Sequence, residues 1–114
     1  MKNYLIIGGS SGIGNELVKI IEKQGDNVIA TYNSNEVNSR GNVEYFKFDV
    51  NEDILPLENL PDEIHGIAYC PGAINLKPFT RFKEEDFTED FKFQVLGATR
   101  IIQRILPNLK KSGN

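Results

Sequence analysis

Apolar residues arrive in short bursts along this chain, separated by polar stretches at nearly regular intervals. Tyr4-Leu5-Ile6-Ile7 is an unbroken apolar run, the pattern of a parallel strand buried on both faces. The period then lengthens. From Ser11 or Gly12 a helix is predicted, with Ile13, Leu17, Ile20 and Ile21 on one face and Gly25 as its stop. Asp26-Asn27 turns the chain into a second strand over residues 28–32. Residues 33–42 are polar, with Gly41-Asn42 as a turn and room for a short helix at most. A third strand covers residues 43–48, and its Glu44 and Lys47 mark it as an edge or near-edge strand. Pro56 and Pro61 interrupt residues 51–64, which read as a loop with one helical turn. A fourth strand over residues 66–70 is cut off by Pro71-Gly72, and a long loop follows to Arg81.

The last periodic segment is the longest. Phe87, Phe91, Val95, Ala98, Ile102, Ile105 and Leu109 fall on one helical stripe. Glu84, Glu85, Asp86, Glu89 and Asp90 crowd its start and Lys110-Lys111 its end, as the helix dipole favours. Pro107 predicts a bend or an early end. Strands alternating with crossovers imply an α/β fold with a parallel sheet in the order 3-2-1-4, and a ligand at the switch between strands one and four.

Composition narrows the possibilities further. The 114 residues suffice for one domain, and 39% hydrophobic with 25% charged residues is a globular balance. A net charge of −3, with no basic run longer than Lys110-Lys111, speaks against nucleic acid as a partner. The single cysteine, Cys70, excludes an internal disulfide and a multi-cysteine zinc site and suits a reducing cytoplasm. No apolar run is long enough to span a membrane, and Met1-Lys2-Asn3 does not open a signal peptide. The acidic cluster at residues 84–90 lacks a histidine and the spacing of a metal site, so no metal is expected. Cys70 reads as a small buried residue and His65 as a surface or loop residue.

Candidate chemistry sits at the first turn. Gly8-Gly9-Ser10-Ser11-Gly12-Ile13-Gly14 follows the first strand directly and opens the first helix. A strand, a glycine-rich turn and a helix N-terminus make an anion site, because backbone N–H groups and the helix dipole converge there. Gly8, Gly12 and Gly14 are spaced Gly-x-x-x-Gly-x-Gly, unlike the commoner Gly-x-Gly-x-x-Gly of dinucleotide folds. Ser10 and Ser11 can cap the helix and contact phosphate.

Four segments in order resemble the short-chain dehydrogenase/reductase family. The glycine turn is similar to its Thr-Gly-x-x-x-Gly-Ile-Gly loop, with Ile7 in the threonine place. Asp49-Val50 resembles its adenine-contacting Asp-Val pair. Tyr69-Cys70-Pro71-Gly72 stands where the family has Asn-Asn-Ala-Gly, of which only Gly72 remains. Phe93-Gln94-Val95-Leu96-Gly97-Ala98 resembles the helix segment carrying an active-site Asn, here replaced by Gln94. The resemblance implies a Rossmann-like domain over residues 1–114 that binds NADP or NAD through Gly8, Ser10, Ser11, Gly12, Ile13, Gly14, Asn33, Ser34, Asp49, Val50, Cys70, Pro71 and Gly72. It implies hydride transfer to a small carbonyl or from an alcohol, and a homo-oligomer; Phe93 and Leu96, off the main stripe, read either as ordinary scattered exposure or as a subunit contact.

The family's catalytic residues are a Ser after a fifth strand and a later Tyr-x-x-x-Lys. The chain ends at Gly113-Asn114, about where that strand should begin. Tyr4, Tyr32, Tyr45 and Tyr69 are followed four residues on by Gly8, Glu36, Asp49 and Ala73, so no catalytic residue is assigned. A tyrosine without its lysine has a pKa near ~10 and is a poor base at neutral pH. The second strand ends on the neutral Asn33 and Ser34, with Glu36 slightly late, which leans toward NADP. A different class stays open: a non-catalytic nucleotide-binding or self-associating module, its fourth strand an apolar edge at Ile67, Ala68 and Tyr69.

Overall fold

The computed structural model describes residues 1–10, 12–34, 36–50, 53–70 and 83–111. Four strands form one parallel sheet: β1 (Asn3–Ile7), β2 (Asn27–Tyr32), β3 (Val43–Lys47) and β4 (Gly66–Tyr69). Their order is β3-β2-β1-β4, as the alternation of elements predicts. Tyr4 pairs with Val28 on one side and with Gly66 on the other, so β1 is central. β3 is an edge, and its Glu44 and Lys47 are exposed as their charge requires.

The two sheet faces carry separate cores, because side chains alternate along each strand. Leu5, Ile7 and Ile29 face the last helix and pack with Phe48, Val50, Leu55, Ile64, Ile101 and Ile105. Ile6, Val28, Ala30, Val43 and Tyr45 face the other way, toward Val18 of α1 (Gly12–Gln24). The 33–42 segment forms no helix among its described residues; it closes on β3 through a bridge between Arg40 and Val43. In the 51–64 loop the one helical turn is a 3₁₀ turn at Leu57–Asn59. The long loop before Arg81 lies outside the described residues.

Both helical stripes differ from expectation. On α1, Ile13 and Ile20 are 77% and 53% exposed, while Gly14 and Val18 are buried. The cause is the first turn: Gly14 lies directly under the Gly8 carbonyl, and that contact sets the rotation of the helix. At the other end of the chain, α2 (Glu84–Phe91) continues through a π-helical turn at Lys92–Leu96 into α3 (Gly97–Lys111). There the Gly97 N–H donates to the Lys92 carbonyl, five residues back. The wide turn breaks the 3.6-residue period that a single stripe assumes. Phe91, Val95 and Ile102 are therefore about half exposed, and Ile101 and Ile105 take the core positions. The side chains of Phe87, Phe93 and Gln94 lie outside the description. Pro107 does not end the helix, which runs four residues further. Its missing N–H costs one intrahelical bond near the exposed helix end, and Leu109 still packs against the core.

His65 lies in the loop before β4, as expected, but it is tied to β1 rather than free at the surface. It is half-buried, and its Nδ1 accepts the Asn3 N–H at 3.0 Å while its own N–H donates to the Asn3 carbonyl at 2.8 Å. The ring thus extends the β1–β4 pairing by one step.

Candidate functional site

The glycine turn emerges from the centre of the sheet, where β1 has neighbours on both sides. Gly8 and Gly12 hold φ of 85° and 60°, a region that favours glycine. Gly9 and Gly14 serve close approach instead. A Cβ on Gly9 would lie 2.9 Å from the Ala30 Cβ, and one on Gly14 would lie 2.0 Å from the Gly8 carbonyl oxygen.

Three hydrogen bonds hold the turn. The Gly8 N–H donates to the Thr31 Oγ1 at 2.9 Å and the Gly9 N–H to the Thr31 carbonyl at 2.9 Å. The Tyr45 hydroxyl donates to the Gly9 carbonyl at 3.0 Å. Burial pushes the Tyr45 phenol above its ordinary value, with Arg40 pulling the other way, so the hydroxyl stays protonated. Thr31 and Tyr45 were not among the residues singled out by motif. Their signal was present: a hydroxyl at the end of an otherwise apolar β2, and a phenol on the buried face of an edge strand, which must find a partner.

The remaining site residues fall around this turn. Ser10 is half-buried, and Ile13 projects from the first turn of α1. That turn carries no acidic residue of its own to offset the positive end of the helix dipole. Asn33 and Ser34 are exposed just past β2. The Tyr32 hydroxyl donates to the Glu36 carboxylate at 3.4 Å. Desolvation and Glu36 together push the Tyr32 phenol up, which keeps it a donor. Asp49 turns the chain after β3: its N–H donates to the Asp53 carboxylate at 2.7 Å and its carbonyl accepts the Asp53 N–H at 2.8 Å. Val50 is buried among Phe48, Leu55 and Ile101, and its carbonyl accepts from the Arg100 guanidinium at 3.4 Å. Cys70 follows β4; its N–H donates to the Ile7 carbonyl at 2.7 Å, and burial pushes its thiol up, away from a nucleophilic role. Ser11, Pro71 and Gly72 lie outside the described residues.

Tyr69 occupies the place of the family's first Asn. It reaches across to α3, and a Cβ on Gly97 would lie 2.5 Å from its hydroxyl oxygen. Burial pushes this phenol up and Arg100 pulls it down. A cleft of about 280 Å³ opens between Phe48, Val50 and residues 53–55 on one side and Gly97, Arg100, Ile101 and Arg104 on the other. Among the described residues no three His, Cys, Asp or Glu side chains gather as a metal site, and no helix is long and apolar enough to cross a membrane.

The chain that carries this glycine turn and 3-2-1-4 sheet is similar to known proteins. The family model for short chain dehydrogenase matches residues 2–114. The chain belongs to that family. Solved short-chain dehydrogenases superpose well on it. One from Saccharomyces cerevisiae gives a TM-score of 0.85 at 17% identity, covering 100% of this chain and 51% of that one. The NADPH-bound carbonyl reductase from chicken fatty liver gives 0.82 at 17% identity, covering 97% and 49%. The Leptospira borgpetersenii enzyme with bound NAD+ gives 0.73 at 26% identity, covering 90% and 43%. The chain thus spans about half the length of these short-chain dehydrogenases. No curated protein shows significant sequence similarity to it.

Proposed function

We propose that this chain is the dinucleotide-binding part of a short-chain dehydrogenase/reductase. The observation that carries the reading is the pinned glycine turn. The Gly8 and Gly9 N–H groups are tied inward to Thr31, the Gly9 carbonyl accepts from Tyr45 and the Gly8 carbonyl packs on Gly14, so the acid-free start of α1 is left to supply the donors. Such a turn suits a pyrophosphate, which needs N–H donors, a positive dipole end and no side chain in the way. Two relatives of this fold carry bound NADPH and NAD+, which supports a nicotinamide dinucleotide as the ligand.

In this reading Gly8, Ser10, Ser11, Gly12, Ile13 and Gly14 hold the pyrophosphate. Asn33 and Ser34 border the adenosine ribose, Asp49 and Val50 the adenine, and Cys70, Pro71 and Gly72 the far half of the cofactor at the end of β4. The cofactor, when bound, supplies hydride transfer between its nicotinamide and a small carbonyl or alcohol. The residues of this chain bind and orient it. They include no Tyr-x-x-x-Lys, so proton transfer to the substrate oxygen has no donor here. We therefore assign these 114 residues binding without turnover. Association through the α2–α3 helix belongs to the same reading, since Phe91, Val95 and Leu96 are roughly half exposed along it.

The test is titration of the chain with NADH and NADPH, followed by cofactor fluorescence, and then addition of a panel of ketones. Saturable binding without cofactor oxidation is expected. Absence of binding defeats the assignment, and oxidation above background defeats the claim that these residues cannot catalyse.

A further inference from the structure

The last helix carries positive charge without a counterpart. The span of α3, residues 97–111, holds Arg100, Arg104, Lys110 and Lys111 and no Asp or Glu. The two lysines close the helix, where its dipole favours cations. Arg100 and Arg104 lie upstream of that end. They stand at i and i+4, a spacing at which like charges repel. Among the described residues neither forms an ion pair. We propose that the cleft they border binds a small amphipathic carboxylate, an apolar body ending in one carboxylate group.

The cleft has both halves that such a ligand needs. Its floor is apolar and fixed, since Phe48, Val50, Leu55 and Ile101 are buried core residues. Ile54 stands at its lip, 76% exposed, and an apolar body laid in the cleft removes that surface from water. The rim is cationic. Arg100 donates from Nη2 to the Val50 carbonyl at 3.4 Å and from Nε to the Leu96 carbonyl at 3.3 Å. Arg104 donates from Nε to the Leu55 carbonyl. Both arms thus reach from α3 to the facing wall. These bonds orient the guanidinium planes and leave most of their N–H donors unspent. A fork ordered in advance loses little freedom when a carboxylate arrives. Asp53 also lines the cleft, where its carboxylate accepts the Asp49 N–H at 2.7 Å. Two guanidiniums against one carboxylate leave a single positive charge, which a monoanion neutralises.

The cleft is separate from the proposed cofactor crevice. Of the residues assigned to the cofactor it includes only Val50. α3 begins against Tyr69, at the C-terminal end of β4, and its Asn108 carbonyl accepts the Ile64 N–H just before β4 starts. The helix therefore runs back along the sheet, away from the glycine turn. Arg104 is seven residues beyond Gly97, roughly 10 Å down the helix at about 1.5 Å per residue. At about 280 Å³ the cleft is at the small end of ligand pockets, which restricts the body to a short chain or a single ring.

The experiment is calorimetric titration of the whole chain at low salt with octanoate, octanol and inorganic phosphate, and with octanoate again in the presence of excess NADH. Saturable octanoate binding, unchanged by NADH, is expected. Octanol lacks the charge and phosphate the apolar body, so each should bind at least about tenfold more weakly. Arg104→Gln and Ile54→Asp should each weaken octanoate about tenfold at low salt. Both side chains are exposed, and circular dichroism verifies that each variant folds. Gln103→Ala, an exposed change on the same helix outside the cleft, should leave the affinity in place. Absence of octanoate binding, octanol or phosphate bound as tightly, unaffected Arg104→Gln and Ile54→Asp variants, or displacement of octanoate by NADH each overturns the proposal. Octanoate binding is read without cofactor, so it stands or falls independently of the dinucleotide reading.

Discussion

Replacing Gly14 by alanine tests the geometry of the turn through the sign of its effect. Within a helix, Gly→Ala normally stabilises by about 0.5–1 kcal/mol, because alanine loses less backbone freedom on folding. Here the new Cβ would stand 2.0 Å from the Gly8 oxygen, 2.9 Å from the Gly8 carbonyl carbon and 3.1 Å from the Gly9 Cα. The first distance is roughly 1.5 Å inside the ~3.5 Å optimum for non-bonded heavy atoms. Neither partner can yield cheaply. Gly8 and Gly9 are held by bonds of 2.9 Å to Thr31 and of 3.0 Å to Tyr45, and α1 is held by Val18 in the core. Overpacking of this kind costs about 1–3 kcal/mol or more, and it works against backbone rather than a flexible side chain. We expect a net loss of about 2 kcal/mol, a Tm lower by roughly 8–16 °C for a domain of this size, and loss of NADH binding. The assay is thermal unfolding followed by circular dichroism, paired with cofactor titration. Gly12→Ala is the matched comparison: its φ is 60° and, among the described residues beyond its chain neighbours, nothing lies within 4 Å of the new Cβ. It should lose only about 1–2 kcal/mol, through backbone strain alone. A Gly14→Ala protein with an unchanged or higher Tm would refute the close packing of turn on helix.

Other outcomes follow from the same geometry. Thr31→Val removes the buried acceptor of the Gly8 N–H and should destabilise by about 1–3 kcal/mol in urea titrations, with weaker cofactor binding. Ile13→Ala should change stability by no more than about 0.5 kcal/mol, since Ile13 is 77% exposed, yet reduce cofactor affinity; a large loss of stability would restore it to the helix's core stripe. Stability should fall as pH rises beyond about 8.5. There the unfolded chain releases protons from cysteine and then tyrosine, while burial raises the folded values of Cys70, Tyr45 and Tyr69 and keeps them protonated. The earliest part of that decline should vanish in Cys70→Ala, which pH-dependent urea midpoints would show. Sedimentation should show self-association that Leu96→Glu weakens; a wild-type chain that stays monomeric throughout would count against the helix contact.

Strand order and the glycine turn were legible because each rests on a local signal. Unbroken apolar runs mark buried parallel strands, charge marks the β3 edge, and glycines mark positive φ or close approach. Helix rotation was not legible in the same way. The faces of α1 and α3 are set by backbone and hydroxyl contacts that a hydrophobic period does not record, the Gly8 carbonyl on Gly14 and the Tyr69 hydroxyl over Gly97, and by a π-helical turn that it does not announce. The same limit applied at the site. Motif spacing located the turn, but its anchors, Thr31 and Tyr45, carry no motif, and the approach of Glu36 to the end of β2 depends on where the Tyr32 hydroxyl reaches.

The bond from Tyr45 to Gly9 joins the turn at the centre of the sheet to its outermost strand. β3 has a neighbour on one side only, so its pairing with β2 is the most easily opened. The glycine turn keeps its Tyr45 anchor only while that margin is closed. If the turn binds the proposed pyrophosphate, reciprocity predicts that the bound anion holds the margin shut. Slowed amide exchange at Tyr45 and its β3 neighbours, residues that touch no phosphate, would then report occupancy of the turn from the far edge of the sheet.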